Sequence, residues 1–342
     1  MHSKKRAKII NDPIYGFIEV DKGIINDLIN HKYFQRLRRI SQLGLSYLVY
    51  PGAQHTRFQH AIGSLHLMNK ALIQLENKGH KISKLEKEGV KIAILLHDIG
   101  HCPFSHALER TIVKDINHEQ LTLIYMNKLN EEFNGKLSLA IKIFENKYER
   151  KFLNQLVSSQ LDMDRLDYLK RDSFFTGVTE GNIGVDRIIS MLDIKDDRLV
   201  IEEKGIYSIE KFIIARRLMY WQVYLHKTVL SAENMLIQIL NRAKYLYKNS
   251  KKIYLSPDLK RFFENSFTID EFIKDNTILD NFSRLDDYEI YASLKYWIKN
   301  KDFVLSNLSQ KILDREILKI RIQKIKFNKK TISEYRLNMM KK

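Results

Sequence analysis

Spaced by its apolar positions, the chain is mostly helical. Leu28, Ile29, Phe34, Leu37 and Ile40 recur at near-helical intervals and predict a helix over Asp27 to Gln42. A second is expected from about Thr56 to Asn77. A third runs from Lys84 to Ile99 and carries the apolar stretch VKIAILL, so it belongs in an interior. Pro103 suits the opening of the next helix, where no N–H is needed. Amphipathic helices follow over Asn117 to Leu129, Lys136 to Glu145 and Asn154 to Asp172. Beyond Gly205 there is no further glycine and Pro257 is the only proline, which favours a helical C-terminal third, with Glu210 to Lys248 as one long or kinked helix.

Two short stretches alternate instead. Asn11 to Val20 contains the turn dipeptide Asp-Pro, and Arg198 to Ile209 surrounds Lys204-Gly205, so each predicts a small hairpin. The expected class is all-α (mostly helical) with a small β-hairpin or two. No internal repeat, low-complexity linker or clear boundary divides the chain. Residues 1–200 are expected to form a core, and residues 201–342 to continue the same domain.

Composition sharpens this picture in two places. The 342 residues are 44% hydrophobic and 11% aromatic, values of a folded globular chain. No apolar run approaches the roughly 20 residues that cross a bilayer, and MHSKKRAK lacks the apolar stretch of a signal peptide. With Cys102 as its one cysteine the chain forms no internal disulfide, which fits a reducing cytoplasm. The formal charge of +17 is uneven: from Lys311 to Lys342 there are eleven basic and three acidic residues. Such a segment draws polyanions, single-stranded nucleic acid among them, or is simply a solvated helix face.

Candidate chemistry gathers elsewhere. Eight of the eleven histidines lie between His55 and His118, and the stretch Val90 to Glu109 holds His97, Asp98, His101 and His106 within ten residues. His97 and Asp98 stand about 100° apart at a helix end and can face one ion. His60, on the preceding long helix, can supply a third ligand, and LDMDRLDYLKRD (Leu161–Asp172) a fourth. On a helical wheel with Asp164 at zero, Tyr168 falls near 40°, Asp172 near 80° and Arg165 near 100°. One face would carry a metal-binding carboxylate, a phosphate-binding cation, a phenol and a second carboxylate; the plain alternative is a charged face with i,i+4 pairs. Two His and two Asp suit a divalent Fe, Mn, Ni, Zn or Mg. His101, His106, His118 and Glu119 remain as supporting groups or for acid–base work beside the metal.

The ordered set His60, His97-Asp98, Asp164 resembles the signature of the HD-domain phosphohydrolases. The blocks FQRLRRISQLG, YPGAQHTRFQHAIG, HDIGHCPFSH, HEQ, DMDRLDYLKRD and YLHK are similar to its deoxynucleoside triphosphate triphosphohydrolase branch, over roughly residues 10–330. The resemblance implies an HD-domain fold and release of inorganic triphosphate from a dNTP. It places the metal on His60, His97, Asp98 and Asp164, and the phosphates on Arg57 and Arg165, the latter where relatives carry lysine. His106 and His118, with Glu119, would move protons, supported by His101. Gln42 and Leu43 would meet sugar and base, Tyr168 and Asp172 the 3′-hydroxyl, and Tyr224 would close over the sugar to exclude ribonucleotides. Leu225 replaces a glutamine of the mammalian member. Gln35 and Arg38 match that member's activator site but Asn30 does not, which leaves a nucleotide activator open. No SAM domain is expected ahead of the fold. Relatives form dimers or larger assemblies, so a homo-oligomer is expected, with Leu236, Ile239 and Leu240 as an apolar stripe for subunit packing. Two other readings compete: a nucleotide phosphatase or phosphodiesterase on the same metal cage, and a non-enzymatic scaffold that binds nucleic acid.

Overall fold

The structure, a computed structural model, describes residues 8–105, 108–113, 116–323 and 325–340. It is the helical protein expected, with two antiparallel hairpins. The first pairs Lys8–Asp12 with Gly16–Val20, and Asp12 Oδ1 closes the turn by accepting from the Ile14 and Tyr15 amides at 2.9 and 3.1 Å. No helix among the described residues is long and apolar enough to cross a membrane.

The core is organised on the helix Arg57–Asn77, which packs against Lys84–Leu96 on one side and Met163–Thr176 on another. Its start is fixed by a capping box, Thr56 with Gln59. The crossing with Met163–Thr176 is close because position 63 has no side chain. A Cβ on Gly63 would stand 2.0 Å from Asp167 Oδ1 and 2.3 Å from an Arg171 nitrogen. Gly100 serves a second tight contact: a Cβ there would meet the His118 carbonyl at 2.3 Å, so the turn after Lys84–Leu96 lies against the first turn of His118–Glu132.

Several expected boundaries move, each for a local reason. The Asp27–Gln42 segment breaks into Ile24–Asn30, Lys32–Gln35 and a 3₁₀ turn Arg36–Arg39, because His31 leaves helical geometry to cap the Tyr33 amide. The helix before the His-Asp pair ends at Leu96, with His97 as its cap. No α-helix opens at Pro103; Phe104 and Ser105 take left-handed backbone (φ 53° and 56°), and the next α-helix among the described residues is Glu109–Ile112. Asn154 to Asp172 is two helices, Lys151–Val157 and Met163–Thr176. Asp162 starts the second by accepting from the Arg165 amide at 2.7 Å, so its side chain outcompetes continuation of the first. The second hairpin pairs Leu192–Lys195 with Arg198–Ile201 and turns at Asp196-Asp197, both at positive φ, not at Lys204-Gly205.

The C-terminal helices also shape the site. Ile206–Met219 runs into a π-turn, Tyr220–Tyr224, before Lys227–Lys248 begins, so the long helix is interrupted at Tyr224. Leu236, Ile239 and Leu240 are fully buried in the chain's own core and are not available to a second subunit. At the head of Asp287–Trp297, the buried Asp287 carboxylate accepts from the Ser41 amide at 2.8 Å and the Phe104 amide at 2.6 Å. One side chain thereby holds two loops beside the main cavity.

Gly63→Ala tests the helix crossing. Overpacking there is expected to cost about 1–3 kcal/mol, read as a lower chemical-denaturation midpoint, with Gly184→Ala, exposed and at negative φ, as the control. A midpoint unchanged by Gly63→Ala would mean the two helices do not approach as described.

Candidate metal centre and substrate cavity

Four side chains from three elements converge where the sequence placed a metal. His60 Nε2 lies 3.0 Å from Asp164 Oδ1 and 3.2 Å from His97 Nε2. His97 Nε2 is 3.5 Å from Asp164 Oδ1 and 3.4 Å from Asp98 Oδ1, and His60 Nε2 is 3.8 Å from Asp98 Oδ2. The tautomers follow from what the other ring nitrogens meet. His60 Nδ1 donates to Asp167 Oδ2 at 2.8 Å, and His97 Nδ1 donates to the Ile94 carbonyl at 2.6 Å. Both Nε2 lone pairs therefore point at each other and at carboxylate oxygens. Such a set repels itself unless a cation stands in the middle, which is the chemical fit to a divalent metal.

The electrostatics agree. Burial drives His60 toward neutrality, yet Asp164 and Asp167 outweigh it and raise its pKa to about 10. Asp164 is held well below the usual carboxylate range against its own burial, chiefly by His60 and His97. Burial opposes ionisation of Asp98 too, but Arg57, His97 and His101 keep it ionised. Every group favours positive charge at the centre, whether protons or a metal that displaces them.

Behind His60 runs a chain of charges that sequence reasoning did not single out. Asp167 receives Arg171 Nε at 2.9 Å and a second guanidinium nitrogen at 3.0 Å, and Arg171 donates onward to Asp12 at 2.8 Å. Asp167 and Arg171 are fully buried. The available signal was the i,i+4 spacing of Asp167 and Arg171 within LDMDRLDYLKRD, which also fits an exposed pair.

A cavity of about 440 Å³ opens from the cluster. Arg57 and Arg165 line its metal end; Arg57 pairs with Asp98, and its Nε donates to Ser105 at 2.9 Å. Arg165 Nε donates to the Ser159 carbonyl at 2.6 Å. His101 and His118 also line this end, their rings stacked 4.1 Å apart. Burial and Arg57 keep His101 neutral. The carboxylate on His118 is Glu109, 3.0 Å from Nδ1, a residue not expected from the sequence. Glu119 is exposed and lines a second opening that reaches His97, Asp98 and Asp164. His106 lies outside the described residues.

The far wall is aromatic. Tyr224 donates to Asp172 Oδ2 at 2.7 Å, and the other Asp172 oxygen meets His55 Nε2 at 2.8 Å. His55 stacks on Phe175, and Tyr168 and Tyr220 stand edge-on to Tyr224. Gln42, Leu43 and the unforeseen Glu233 complete the lining. Asn30, Gln35 and Arg38 are not among the residues lining this cavity. Thus His60, His97, Asp98 and Asp164 meet, and Arg57, Arg165, His101, His118, Gln42, Leu43, Tyr168, Asp172 and Tyr224 share one cavity.

The HD domain family profile matches residues 57–172, and that of the HD associated region matches residues 183–255. The chain is 33% identical to the uncharacterised protein YwfO of Bacillus subtilis, over 94% of this chain and 72% of that one. It is 32% identical to a Dictyostelium discoideum protein named deoxynucleoside triphosphate triphosphohydrolase SAMHD1 homolog, over 77% of this chain but 56% of that one. Among solved structures, a phosphohydrolase of Bacteroides thetaiotaomicron superposes with a TM-score of 0.95 at 54% identity, covering 98% of this chain and 83% of its own.

Asp167→Asn removes the anion that orients His60 while keeping its shape. Metal affinity, measured by competition with a chromophoric chelator, is expected to fall about 10–100-fold. An unchanged affinity would make the buried charge chain purely structural.

Proposed function

The chain belongs to the HD-domain phosphohydrolases, and from that membership we propose that it hydrolyses deoxynucleoside triphosphates to deoxynucleoside and inorganic triphosphate. The observation that carries this reading is the continuity of one cavity, from a His-Asp cluster flanked by Arg57 and Arg165 to a wall of Tyr168, Tyr224 and Asp172. A simple phosphatase needs the first half only. The relative named as a dNTP triphosphohydrolase supports the same substrate class.

His60, His97, Asp98 and Asp164 would hold a divalent metal. Once bound, it supplies Lewis acidity toward the phosphates and a lowered pKa for water. The chain's own groups do the rest. Arg57 and Arg165 grip the triphosphate with fixed donor forks. The first turns of Arg57–Asn77, His118–Glu132 and Met163–Thr176 carry positive dipole ends and lie around the phosphate end. Water oxygen joins the α-phosphorus, the bond to the 5′-oxygen breaks, and that oxygen takes a proton. His118, oriented by Glu109, stands where such a proton can be handled, with the neutral His101 stacked beside it. Tyr224, fixed through Asp172, packs against the sugar and leaves no space for a 2′-hydroxyl.

Ile213, Trp221 and Leu225 project from Ile206–Met219 and the turn after it, all more than half exposed. This apolar face supports self-association into a dimer or larger assembly. Light scattering at micromolar concentration is expected to return at least twice the 40.6 kDa monomer mass; a monomer would refute it.

The function is tested by incubating the protein with each dNTP and Mn²⁺ and resolving the products. Triphosphate and deoxynucleoside are expected in equal amounts, with no turnover in EDTA. Orthophosphate or pyrophosphate as product would favour a phosphatase or phosphodiesterase instead. Tyr224→Ala is expected to admit the matching ribonucleotide, raising its kcat/KM relative to the dNTP by about tenfold or more.

A further inference from the structure

Phosphate and sugar account for two parts of the cavity and leave a third. Its walls are Gln42, Leu43, Gly44, Phe104 and Glu233. Glu233 comes from Lys227–Lys248, and its Oε1 would stand 3.5 Å from a Cβ on Gly44, so the carboxyl lies against that loop. Among the described residues it has no hydrogen bond or ion pair. Gln42 Oε1 is buried and also lacks a partner. The Glu233 carboxyl thus presents to the cavity acceptor oxygens that no protein donor meets. An unmatched buried acceptor is costly, so this arrangement asks a ligand to bring the donors.

This inference rests on the dNTP reading above. Of the four bases, only guanine sets two donors side by side, the ring N1–H and the exocyclic N2 amine, at the spacing of a carboxylate's two oxygens. Adenine and cytosine place a ring lone pair beside their amine, which would repel the second oxygen. Thymine offers one N–H between two carbonyls. We propose that Glu233 is the base-reading residue of this site and that it selects guanine through a paired contact to N1–H and N2–H. Burial alone raises the Glu233 pKa to about 7, so an approaching pair of donors has a partly neutral carboxyl to draw into its ionised form.

The test needs only one base analogue and one isosteric variant. Deoxyinosine triphosphate keeps N1–H and lacks the N2 amine. On the unmodified protein, kcat/KM for dGTP is expected to exceed that for dITP by at least about tenfold, because the missing amine leaves a buried acceptor unpaired. In Glu233→Gln, where an amide N–H opposes one of guanine's donors, that ratio is expected to fall below about threefold. If dGTP and dITP are hydrolysed equally, or the ratio survives in Glu233→Gln, the proposal fails while the triphosphohydrolase stands. If no dNTP yields triphosphate, the functional reading fails and takes this proposal with it. The dITP comparison uses the unmodified protein, so misfolding of the variant cannot shield the idea.

Discussion

The arrangement depends on one buried contact, the carboxylate of Asp167 held between His60 and Arg171. Asp167 is fully buried, and its charge is met by two donors from Arg171 and a third from His60. Removing one partner from such a set typically costs about 3–5 kcal/mol, since an unpaired charge is left inside. Arg171 is balanced in turn by Asp12, whose other oxygen closes the first hairpin. A β-turn near the N-terminus and the orientation of His60 are therefore parts of one electrostatic unit. Gly63 is where the backbone makes room for it.

The same economy separates the site's two charges. Lys84–Leu96 ends at His97, so its carbonyl-rich terminus, with partial negative charge, lies at the candidate metal cluster. Helix N-termini lie toward the phosphate end, beside the two arginines. Asp98 joins the halves by facing the cluster and pairing with Arg57. On the proposed reading, a metal ion and a polyanion would share a few ångströms here because each would approach the helix ends that favour it.

The sequence showed the candidate metal-binding groups better than what holds them. His60, His97, Asp98 and Asp164 were legible because few residue types bind metal and the His-Asp pair sits at an apolar helix's end. The helices were legible from periodicity, though their ends were not, since side chains such as Asp162 and His31 decide those locally. Asp12 with Arg171 and His55 with Asp172 are 159 and 117 residues apart, distances over which no periodic pattern carries information. Glu109 was hidden by its neighbour in type: Glu119 stands next to His118 in sequence, but side chains one apart on a helix point about 100° away from each other. Glu233 looked like one charge on an amphipathic helix. Its lack of a partner is visible only in three dimensions.

The wall around Asp172 shows why the C-terminal helices belong to the site. On the dNTP reading proposed above, a wall that rejects a single hydroxyl has to be stiff, because a ring able to swing by an ångström would admit it. Tyr224 sits on a π-turn, a strained insertion in a helix that often marks a functional position. Its hydroxyl is anchored on Asp172, which is itself anchored by His55 stacked on Phe175. A carboxylate accepts about four hydrogen bonds, so these two donors leave capacity for a sugar hydroxyl without loosening either anchor. The group that would bind the substrate's 3′ side is thus the one that immobilises the ring excluding a 2′-hydroxyl. Changing Asp172 would relax sugar selection together with sugar binding.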